Sequence, residues 1–215
     1  MIVVLLGPPG SGKGTQGERV AAALGVPKIS TGDVLRAAAK AGTTLGLEAK
    51  AYMDRGDLVP DPVILGIMKD ALSAPEQAKG VILDGVVRTV PQAEGLARVT
   101  AELGRKVDVV MLFEIADEEL VARLSSRTTC AACQAPFAGR QPGETHAECT
   151  LVPKGTLIRR ADDEPEAIRN RLRVYKAQTE PVVAWYRANG GNIAAIDATG
   201  TFAEVEARAM KAVGR

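Results

Sequence analysis

Residues 2–15 read IVVLLGPPGSGKGT, and this stretch decides the fold class. Its first five residues are apolar, which is typical of a strand buried on both faces of a sheet. A glycine-rich loop with one lysine follows, and a helical pattern begins at residue 16. Strand, loop and helix in this order predict a loop that surrounds a triphosphate. Glycines let successive N–H groups point inward, and the helix N-terminus adds positive potential.

The loop supplies the predicted triphosphate contacts. These residues are Gly10, Ser11, Gly12, Lys13, Gly14 and Thr15. The alternative is a turn that only connects strand to helix. Lys13 would place a full charge on the outer phosphates, but Gly14 stands where a hydroxyl residue is usual, and the hydroxyl follows at Thr15. This shift favours a magnesium ion held through water and phosphate oxygens over direct ligation by the loop.

A second acidic group follows another apolar run. Asp84 comes directly after residues 81–83, which read as a buried strand. The carboxyl ends of parallel strands share one edge of a sheet, so Asp84 would lie beside the loop. We expect Asp84 to be the outer-shell partner of Mg²⁺, and a helix cap or turn is its alternative role.

Apolar runs alternate with helical patterns along the rest of the chain. The runs at 2–6, 81–83, 107–113 and 193–196 precede helical patterns at 16–24, 91–103, 117–124 and 202–213, and a fifth strand is expected at 27–30. This alternation predicts an α/β fold of three layers, in which helices cover both faces of a parallel five-stranded sheet.

Two segments interrupt this alternation. Residues 30–60 contain two short helical patterns, at 32–40 and 44–55, with no strand between them. Residues 128–159 lack a helical period and contain several glycines and prolines. We expect both segments to be insertions on one core. A stretch of that length without regular structure is usually a functional lid or a metal-held module.

All three cysteines and the single histidine fall in the second insertion, with the spacing Cys130-x2-Cys133-x12-His146-x2-Cys149. Three thiolates and one imidazole suit tetrahedral Zn²⁺, and four protein ligands leave no open position, so the metal would be structural. It would replace the apolar core that so small a unit cannot build. Free thiols beside an uninvolved histidine are the alternative.

The overall composition excludes several classes of protein. The 215 residues carry a formal charge of +1 and include one Trp, three Tyr and three Phe. A nucleic-acid binder needs a clustered positive excess or aromatic platforms for bases, so neither count favours one. No apolar run reaches the roughly 18 residues of a membrane span, and no basic segment precedes the N-terminal run as in a signal peptide. We therefore expect a soluble cytoplasmic protein without a membrane partner.

Four further motifs, taken with the loop, resemble those of the adenylate kinases. They are Ile29-Ser30-Thr31-Gly32-Asp33-Val34-Leu35-Arg36, Asp84-Gly85 with Arg88-Thr89, Gln92, and Arg160-Ala161-Asp162-Asp163. The resemblance covers nearly the whole chain. It implies reversible, Mg²⁺-dependent phosphoryl transfer, ATP + AMP = 2 ADP, by direct in-line transfer with closure of a lid. ATP, AMP and ADP would be the substrates, and the family expectation is a monomer.

The resemblance also implies three domains. The P-loop core would comprise residues 1–29, 60–122 and 161–215, the small helical AMP-binding domain residues 30–59, and the zinc-bearing lid residues 123–160. Closure is expected because ATP beside free water would hydrolyse, so the site must exclude water before transfer. Asp162 and Asp163, directly after the lid, are expected to act in closure.

The resemblance assigns roles to individual residues. On the ATP side it implies Arg123, Arg127, Phe137 and Gly200 beside the loop. On the AMP side it implies Thr31, Arg36, Asp57, Leu58, Val59, Gly85, Arg88, Gln92, Arg160 and Arg171, with Gln92 at the adenine edge. The catalytic set would be Lys13, Arg88, Arg127, Arg160 and Arg171. Phosphoryl transfer needs alignment and charge neutralisation, and planar guanidinium groups give bidentate hydrogen bonds to phosphate.

The lid departs from the pattern of zinc-bearing adenylate kinases. These commonly carry a second Cys-x2-Cys or Cys-x2-Asp pair, but here the position after Cys149 at that spacing is Val152, which cannot bind a metal. His146, on the other side of Cys149, would supply the fourth ligand.

The AMP site also departs from the family pattern. The usual Asp-Gly-Phe-Pro-Arg-Thr is Asp84-Gly85-Val86-Val87-Arg88-Thr89 in this chain. The family's proline follows a cis bond, which a residue other than proline adopts only at a cost of about 3 kcal/mol. We expect either a shifted backbone or a strained bond before Val87, and AMP binding weaker than is usual in the family.

Two other functions fit parts of the sequence. A kinase of the same architecture for UMP, CMP or GMP is the nearer one, because residues 85–87 border the expected base pocket. A non-catalytic ATP-binding protein with a zinc module is the other. It would bind ATP without forming ADP from AMP.

Overall fold

A parallel sheet forms the centre of the structure, a computed structural model that describes residues 1–151 and 153–215. The strands of the described residues, in both sheets of the protein, are β1 (Ile2–Leu6), β2 (Lys28–Ser30), β3 (Val81–Asp84), β4 (Val109–Glu114), β5 (Arg127–Cys130), β6 (Pro136–Ala138), β7 (Leu157–Ile158) and β8 (Ile193–Asp197). The central sheet has the order β2-β3-β1-β4-β8, and all its neighbours are parallel. The prediction of a parallel five-stranded sheet is confirmed.

Helices cover both faces of this sheet. The described residues form α1 (Lys13–Leu24), α2 (Thr31–Lys40), α3 (Thr44–Arg55), α4 (Asp61–Ser73), α5 (Val90–Glu102), α6 (Asp117–Ser126), α7 (Pro165–Val174), α8 (Glu180–Ala188) and α9 (Phe202–Ala212). The six predicted helices correspond to α1, α2, α3, α5, α6 and α9. None of the described helices is both long and apolar enough to cross a membrane.

Three helices, α4, α7 and α8, are not predicted from the sequence. Each has a proline in its first turn, at Pro62, Pro165 and Pro181. Proline often ends a helical pattern, but in the first turn its missing N–H would have no intrahelical partner in any case. An acidic residue stands directly before each proline, at Asp61, Glu164 and Glu180, and favours the positive end of a helix. An acidic residue followed by proline is therefore the signal that would have predicted these helices.

The side chains of β1 alternate between two apolar cores. Ile2, Val4 and Leu6 pack against residues of α4, α5 and α8 on one face. Val3 and Leu5 pack against residues of α1 and α9 on the other face. All five side chains are buried, which explains the uninterrupted apolar run in the sequence. The arrangement confirms the three-layer fold.

The first insertion contains α2 and α3, which touch backbone to backbone. A Cβ at Gly46 would lie only 2.2 Å from the carbonyl carbon of Ala38, so glycine permits this close approach. Leu35 of α2 and Ala49 of α3 form a small buried cluster with Val59 and Ile64. The insertion therefore has its own core, which continues into α4.

The second insertion contains a small antiparallel sheet with the order β6-β5-β7. Its strands are two to four residues long, too short to show a period in the sequence. Cys130, Cys149 and Leu157 form its buried centre. Two of these three residues are predicted metal ligands, so the cluster takes the place of an ordinary apolar core.

Candidate functional site

The loop after β1 ends at Gly12, which stands before the first turn of α1. Gly12 has φ of 83°, in the left-handed region that favours glycine. No described side chain caps this helix, and a Cβ at Gly12 would meet no atom within 4 Å. The first turn of α1 therefore has no side-chain cap from the described residues, and the space beside Gly12 at the positive end of the helix is open. This arrangement binds phosphate.

Other predicted loop residues lie at different depths. The Ser11 hydroxyl is buried and has no hydrogen-bond partner among the described residues. Thr15 is exposed on the first turn of α1. Gly10 approaches α6 so closely that a Cβ would lie 2.9 Å from Leu124 Cγ. The loop is thus held against α6 while its helix end stays accessible.

The partly buried Lys13 lies inside the loop. Its Nζ donates a hydrogen bond to the carbonyl oxygen of Pro8 at 3.1 Å. Desolvation lowers the pKa of Lys13 to about 8, which Asp84 opposes and Arg88 and Arg171 reinforce. A bound polyphosphate would raise this pKa again, because it brings negative charge to the ammonium group. Lys13 is therefore suited to an anionic ligand.

Asp84 lies at the carboxyl end of β3, against the first turn of α1. A Cβ at residue 14 would lie 2.9 Å from Asp84 Oδ2, so Gly14 permits the carboxylate to reach the loop. This contact gives a physical reason for the glycine after Lys13. A carboxylate oxygen beside the phosphate loop fits a hydrated magnesium ion, which binds through oxygen ligands and keeps several waters.

Lys28, which was not predicted as a site residue, also lies beside Asp84 and the phosphate loop. Its Nζ lies 3.9 Å from Asp84 Oδ2 and 2.8 Å from Glu18 Oε1. It also donates a hydrogen bond to the Gly14 carbonyl oxygen at 3.3 Å. A lysine at the start of β2 shows no such role in the sequence, because only the pairing of β2 with β3 brings it to Asp84.

A cleft beside the loop joins the core, the end of the first insertion and α7. Its lining residues are Leu5, Leu6, Gly7, Pro9, Lys13, Gly56, Leu58, Gly85, Val87, Arg88, Arg171, Val174, Tyr175 and Thr179. Five of these have predicted site roles: Lys13, Leu58, Gly85, Arg88 and Arg171. The structure therefore brings together cations that are far apart in the sequence.

Arg88 and Arg171 both line this cleft, and Arg171 is paired with the carboxylates of Asp162 and Asp163. Desolvation lowers the pKa of Arg88, and repulsion from Arg171 adds to the effect. Desolvation likewise lowers the pKa of Arg171, although Asp162 opposes it. Two guanidinium groups held close in a desolvated site favour a multiply charged anion between them.

The backbone turn that carries Arg88 is well anchored. Arg88 Nε donates to the carbonyl oxygen of Gly85 at 3.1 Å, and Thr31 Oγ1 donates to the same oxygen at 2.8 Å. Val86 and Val87, which replace the family's Phe-Pro pair, are both buried in the core. The expected weakening of AMP binding by these valines stays a prediction.

Arg36 and Arg160 each carry a buried Nε that has no protein partner in the described chain. Arg36 pairs with Asp33, one helical turn away on α2. Burial opposes ionisation of Asp33, but the Arg36 guanidinium outweighs it and lowers the pKa of that carboxyl. Desolvation lowers the pKa of Arg160 to about 10, with Arg36 adding repulsion. Both arginines thus keep donors for a further ligand.

Asp163 joins two predicted catalytic arginines. Its buried carboxylate accepts hydrogen bonds from Arg127 Nε at 2.8 Å and from Arg171 Nη1 at 3.0 Å. The neighbouring Asp162 lies 3.0 Å from the same Arg171 nitrogen. Arg127 begins β5 and Arg171 lies on α7, so Asp163 connects the second insertion to the core.

Gln92 is buried and fully engaged within the protein. Its Nε2 donates to Asp61 Oδ1 at 2.7 Å, and its Oε1 accepts from the Arg88 N–H at 2.7 Å. Thr89 Oγ1 donates to the same Asp61 oxygen at 3.1 Å. The structure thus brings Gln92 to the Arg88 backbone, and contact with an adenine edge stays a prediction.

The remaining AMP-side residues lie around α3 and its C-terminus. Asp57 accepts hydrogen bonds from Asn170 at 2.8 Å and from Arg55 at 3.0 Å, and these lower its pKa. Val59 is buried in the core of the first insertion. Of the predicted stretch 57–59, it is Leu58 that lines the cleft.

One predicted ATP-side residue, Arg123, contacts the turn that follows β8. Arg123 Nη2 donates to the carbonyl oxygen of Ala198 at 2.9 Å, two residues before Gly200. Phe137 lies elsewhere, in the second insertion, where its ring meets the His146 ring edge-on with centroids 4.7 Å apart. Phe137 therefore supports the metal cluster, and its contact with an ATP base stays a prediction.

The four predicted metal ligands come together. One candidate ligand atom from each of Cys130, Cys133, His146 and Cys149 lies within 4.8 Å of the others. The Cys130 and Cys149 sulfurs are 3.9 Å apart, and Cys133 Sγ is 3.3 Å from His146 Nδ1. Two sulfurs on tetrahedral Zn²⁺ lie about 3.8 Å apart, so the cluster fits zinc.

Backbone hydrogen bonds favour the thiolate form of Cys149, whereas burial raises the pKa of the Cys133 thiol. Hydrogen bonds from the Gly155 and Leu151 amides lower the pKa of the Cys149 thiol to about 7. A Cβ at Gly155 would lie 2.2 Å from Cys130 Sγ, so only glycine permits this backbone to close over the sulfurs. Val152, which the sequence analysis excluded as a ligand, lies outside the described residues.

Comparison with known proteins gives a consistent result. The sequence profile of a family described as adenylate kinase matches residues 5–191. A protein named adenylate kinase from Gemmatimonas aurantiaca is 66% identical over 213 residues, which cover 99% of each chain. One of the same name from Methanothrix thermoacetophila is 48% identical over 95% of this chain and 94% of its own. A third, from Geobacter sp., is 44% identical over 99% of each.

Proposed function

This chain belongs to the adenylate kinase family, and from that premise we propose how its residues divide the work. The enzyme is a phosphotransferase that interconverts ATP and AMP with two ADP. The cleft between the loop and α7 would be the place where the two nucleotides meet. Lys13, Arg88 and Arg171 line this cleft together, and that single observation carries the proposal.

The chemistry needs positioning more than covalent help. The transferred phosphoryl group passes between two oxygens in line, with negative charge spread over its other oxygens. Lys13 and the first N–H groups of α1 would hold the donor triphosphate from one side. Arg88 and Arg171 would hold the acceptor phosphate from the other. Desolvation first, and then mutual repulsion, lower the pKa values of Lys13 and Arg88, and phosphates bound between these cations would offset both effects.

The two insertions would complete the site. Residues 30–59 would form the AMP-binding domain, with Thr31 and Arg36 beside the Gly85–Arg88 turn. Residues 123–160 would form the lid, which brings Arg123 and Arg127 to ATP. Residues 1–29, 60–122 and 161–215 would form the core. Closure of both insertions would exclude water, so that the phosphoryl group reaches AMP rather than water.

Three of the arginines, Arg36, Arg127 and Arg171, would exchange a carboxylate for a phosphate on closure. Arg127 and Arg171 share Asp163, and Arg36 pairs with Asp33. These carboxylates balance the charge of the guanidinium groups and hold them in place while no nucleotide is present. Arg160, whose Nε has no protein partner in the described chain, would need no such exchange.

Two metal ions would assist. Asp84 would hold a hydrated Mg²⁺ beside Gly14, and when bound the ion neutralises charge on the outer phosphate oxygens of ATP. The cysteines and His146 would hold a structural Zn²⁺ that keeps the lid folded. Four protein ligands leave no position for a substrate on that zinc.

A coupled assay of ADP formation with ATP, Mg²⁺ and AMP tests the proposal. We expect ADP formation that stops when AMP is omitted. UMP, CMP and GMP in place of AMP should give rates at least about a hundredfold lower. ATP binding without AMP-dependent ADP formation would support the non-catalytic alternative, and a preference for another monophosphate would support the other kinases.

The state of the protein in the cell also belongs to the proposal. We expect a cytoplasmic monomer that binds neither nucleic acid nor membranes, and the formal charge of +1 supports the absence of a nucleic-acid partner. Light scattering during size-exclusion chromatography would give the oligomeric state. A filter-binding assay with single- and double-stranded DNA would detect nucleic-acid binding.

A further inference from the structure

We propose that Thr179 is a positioning residue for phosphoryl transfer. Its hydroxyl would hold the peptide of Arg88 so that the guanidinium group faces the AMP phosphate. This inference rests on the proposed role of Arg88 in the cleft. Thr179 lies 91 residues from Arg88 in the sequence, and no motif singled it out.

The hydrogen bond itself is the first observation. Thr179 Oγ1 donates to the carbonyl oxygen of Arg88 at 2.8 Å. Thr179 is only 6% exposed, so water does not compete freely for this carbonyl. A threonine in a helix usually bonds a carbonyl of its own preceding turn. Here the hydroxyl leaves its own helix and bonds another element.

The local helix geometry explains this direction. Residues Tyr175–Thr179 form a π-helical turn between α7 and α8, in which the Glu180 N–H donates to the Tyr175 carbonyl oxygen. A π turn contains one residue more than an α turn, and each residue of an α-helix turns by about 100°. The extra residue therefore changes which side chain faces the cleft. Both Tyr175 and Thr179 line it.

The Arg88 peptide groups are held from both sides. The Arg88 N–H donates to Gln92 Oε1 at 2.7 Å, and its carbonyl oxygen accepts from Thr179. Gln92 is in turn fixed by Asp61. Side chains from two different elements thus determine the backbone position of one arginine.

Such anchoring matters because Arg88 and Arg171 repel each other. A backbone held on one side only would let Arg88 move away from Arg171 until a phosphate arrives. Misplacement of a positioning group by about 1 Å can cost about a hundredfold in rate. Loss of one of two anchors should cost less, about tenfold, because Gln92 remains.

The test compares Thr179→Val with a matched control, Thr100→Val. Thr100 is also buried, and its hydroxyl donates to the Leu96 carbonyl oxygen at 2.9 Å within α5. We expect Thr179→Val to lower kcat/KM for AMP about tenfold while KM for ATP changes less than about twofold. Thr179→Ser, which keeps the hydroxyl, should stay within about twofold of the parent enzyme. Thr100→Val should change the melting temperature but leave kcat/KM for AMP and KM for ATP unchanged.

A double-variant cycle separates this inference from the role of Arg88. Arg88→Lys should itself impair AMP use, because lysine cannot give bidentate contacts. Adding Thr179→Val to Arg88→Lys should then cost little more, because both changes act on the same contact. Full additivity, or AMP kinetics of Thr179→Val equal to those of Thr100→Val, would overturn the inference.

If Arg88→Lys leaves AMP use unchanged, the proposed role of Arg88 fails first. If Thr179→Val does not fold, Thr179→Ala against Thr179→Ser carries the same comparison.

Discussion

The charge of Lys13 makes ATP binding depend on pH. Its pKa is lowered to about 8 in the protein without ligand, so most Lys13 side chains are neutral at about pH 9. A polyphosphate binds the ammonium form, so binding above this pKa must take up a proton. We expect an uptake of close to one proton at about pH 9 and almost none from Lys13 at about pH 7. ATP affinity should fall as the pH rises through this range.

Titration calorimetry in two buffers of different ionisation enthalpy measures this uptake. Lys13→Arg is the control, because a guanidinium group stays charged and should remove the uptake at high pH. Equal binding heats in both buffers at about pH 9 would show that Lys13 is already charged before ATP arrives.

We expect Lys28 to compete with magnesium for Asp84. Its ammonium group lies 3.9 Å from the Asp84 carboxylate, where it offsets charge that a hydrated metal ion would otherwise attract. Lys28→Gln should therefore lower the Mg²⁺ concentration for half-maximal activity, by about threefold. Lys50→Gln, which breaks an exposed ion pair with Asp54, is the matched control. A higher Mg²⁺ requirement would mean that Lys28 positions Asp84 for the metal instead.

Individual residues differ in how far the sequence could reveal them. Gly14 is visible as a departure from the motif, but its reason, the contact with Asp84, requires the pairing of β3 with β1. Lys28 and Thr179 show no signal, because each acts on a residue brought near only by the fold. The resemblance singles out Gln92, but its hydrogen bond to Asp61, 31 residues away, is visible only in the fold.

At the scale of elements, the small sheet β5–β7 depends on the Cys/His cluster. Its buried centre consists of Cys130, Cys149 and Leu157, so little apolar surface remains to hold it without metal. His146→Ala should reduce bound zinc to well under one ion per chain and lower the melting temperature by about 5 °C. Hydrogen exchange should rise in this sheet and stay unchanged in β1 and β3.

Glu148→Ala is the control for this variant, because Glu148 is exposed beside the same ligands. Zinc content by atomic emission and melting temperature should both stay at their original values in this control. A full zinc complement in His146→Ala, with unchanged melting, would remove His146 from the ligand set.

Helices and strands could be predicted where an apolar run or a helical hydrophobic pattern extends over several residues. Six helices and all five strands of the central sheet follow from apolar runs and helical patterns. The helices α4, α7 and α8 were not predicted, because none of them directly follows an apolar run, whereas α5, which also has a first-turn proline, follows the run at 81–83. The π turn has no sequence signal, because it depends on how α7 and α8 pack on the core rather than on residue type.

At the scale of the whole molecule, a formal charge of +1 conceals a strong local field. Lys13, Arg88 and Arg171 line one cleft, and Arg127 lies within reach of Arg171 through Asp163. Carboxylates at the borders of the insertions balance these cations. The sequence predicts which cations converge by resemblance, but the counterions that hold them before substrate arrives are found only in the fold.

Asp163 gives this balance a measurable consequence. Asp163→Asn would remove the buried carboxylate that pairs with Arg127 and would leave Arg171 with Asp162 alone. Removing one partner of a buried ion pair costs about 3 to 5 kcal/mol, which corresponds to a loss of about 10 °C in melting temperature for a chain of this size. Asp197→Asn, at an exposed carboxylate that pairs with Arg208, should lose far less.

Bound nucleotide should restore part of the melting temperature that Asp163→Asn loses. Phosphates bound in the cleft would replace the missing carboxylate as counterions for both arginines. The difference in melting temperature between Asp163→Asn and the parent enzyme should therefore shrink at saturating ADP and Mg²⁺, whereas the difference for Asp197→Asn should not change. An equal or larger difference with nucleotide would mean that Asp163 orders the bound state as well, and that the arginines keep this carboxylate when the phosphates arrive.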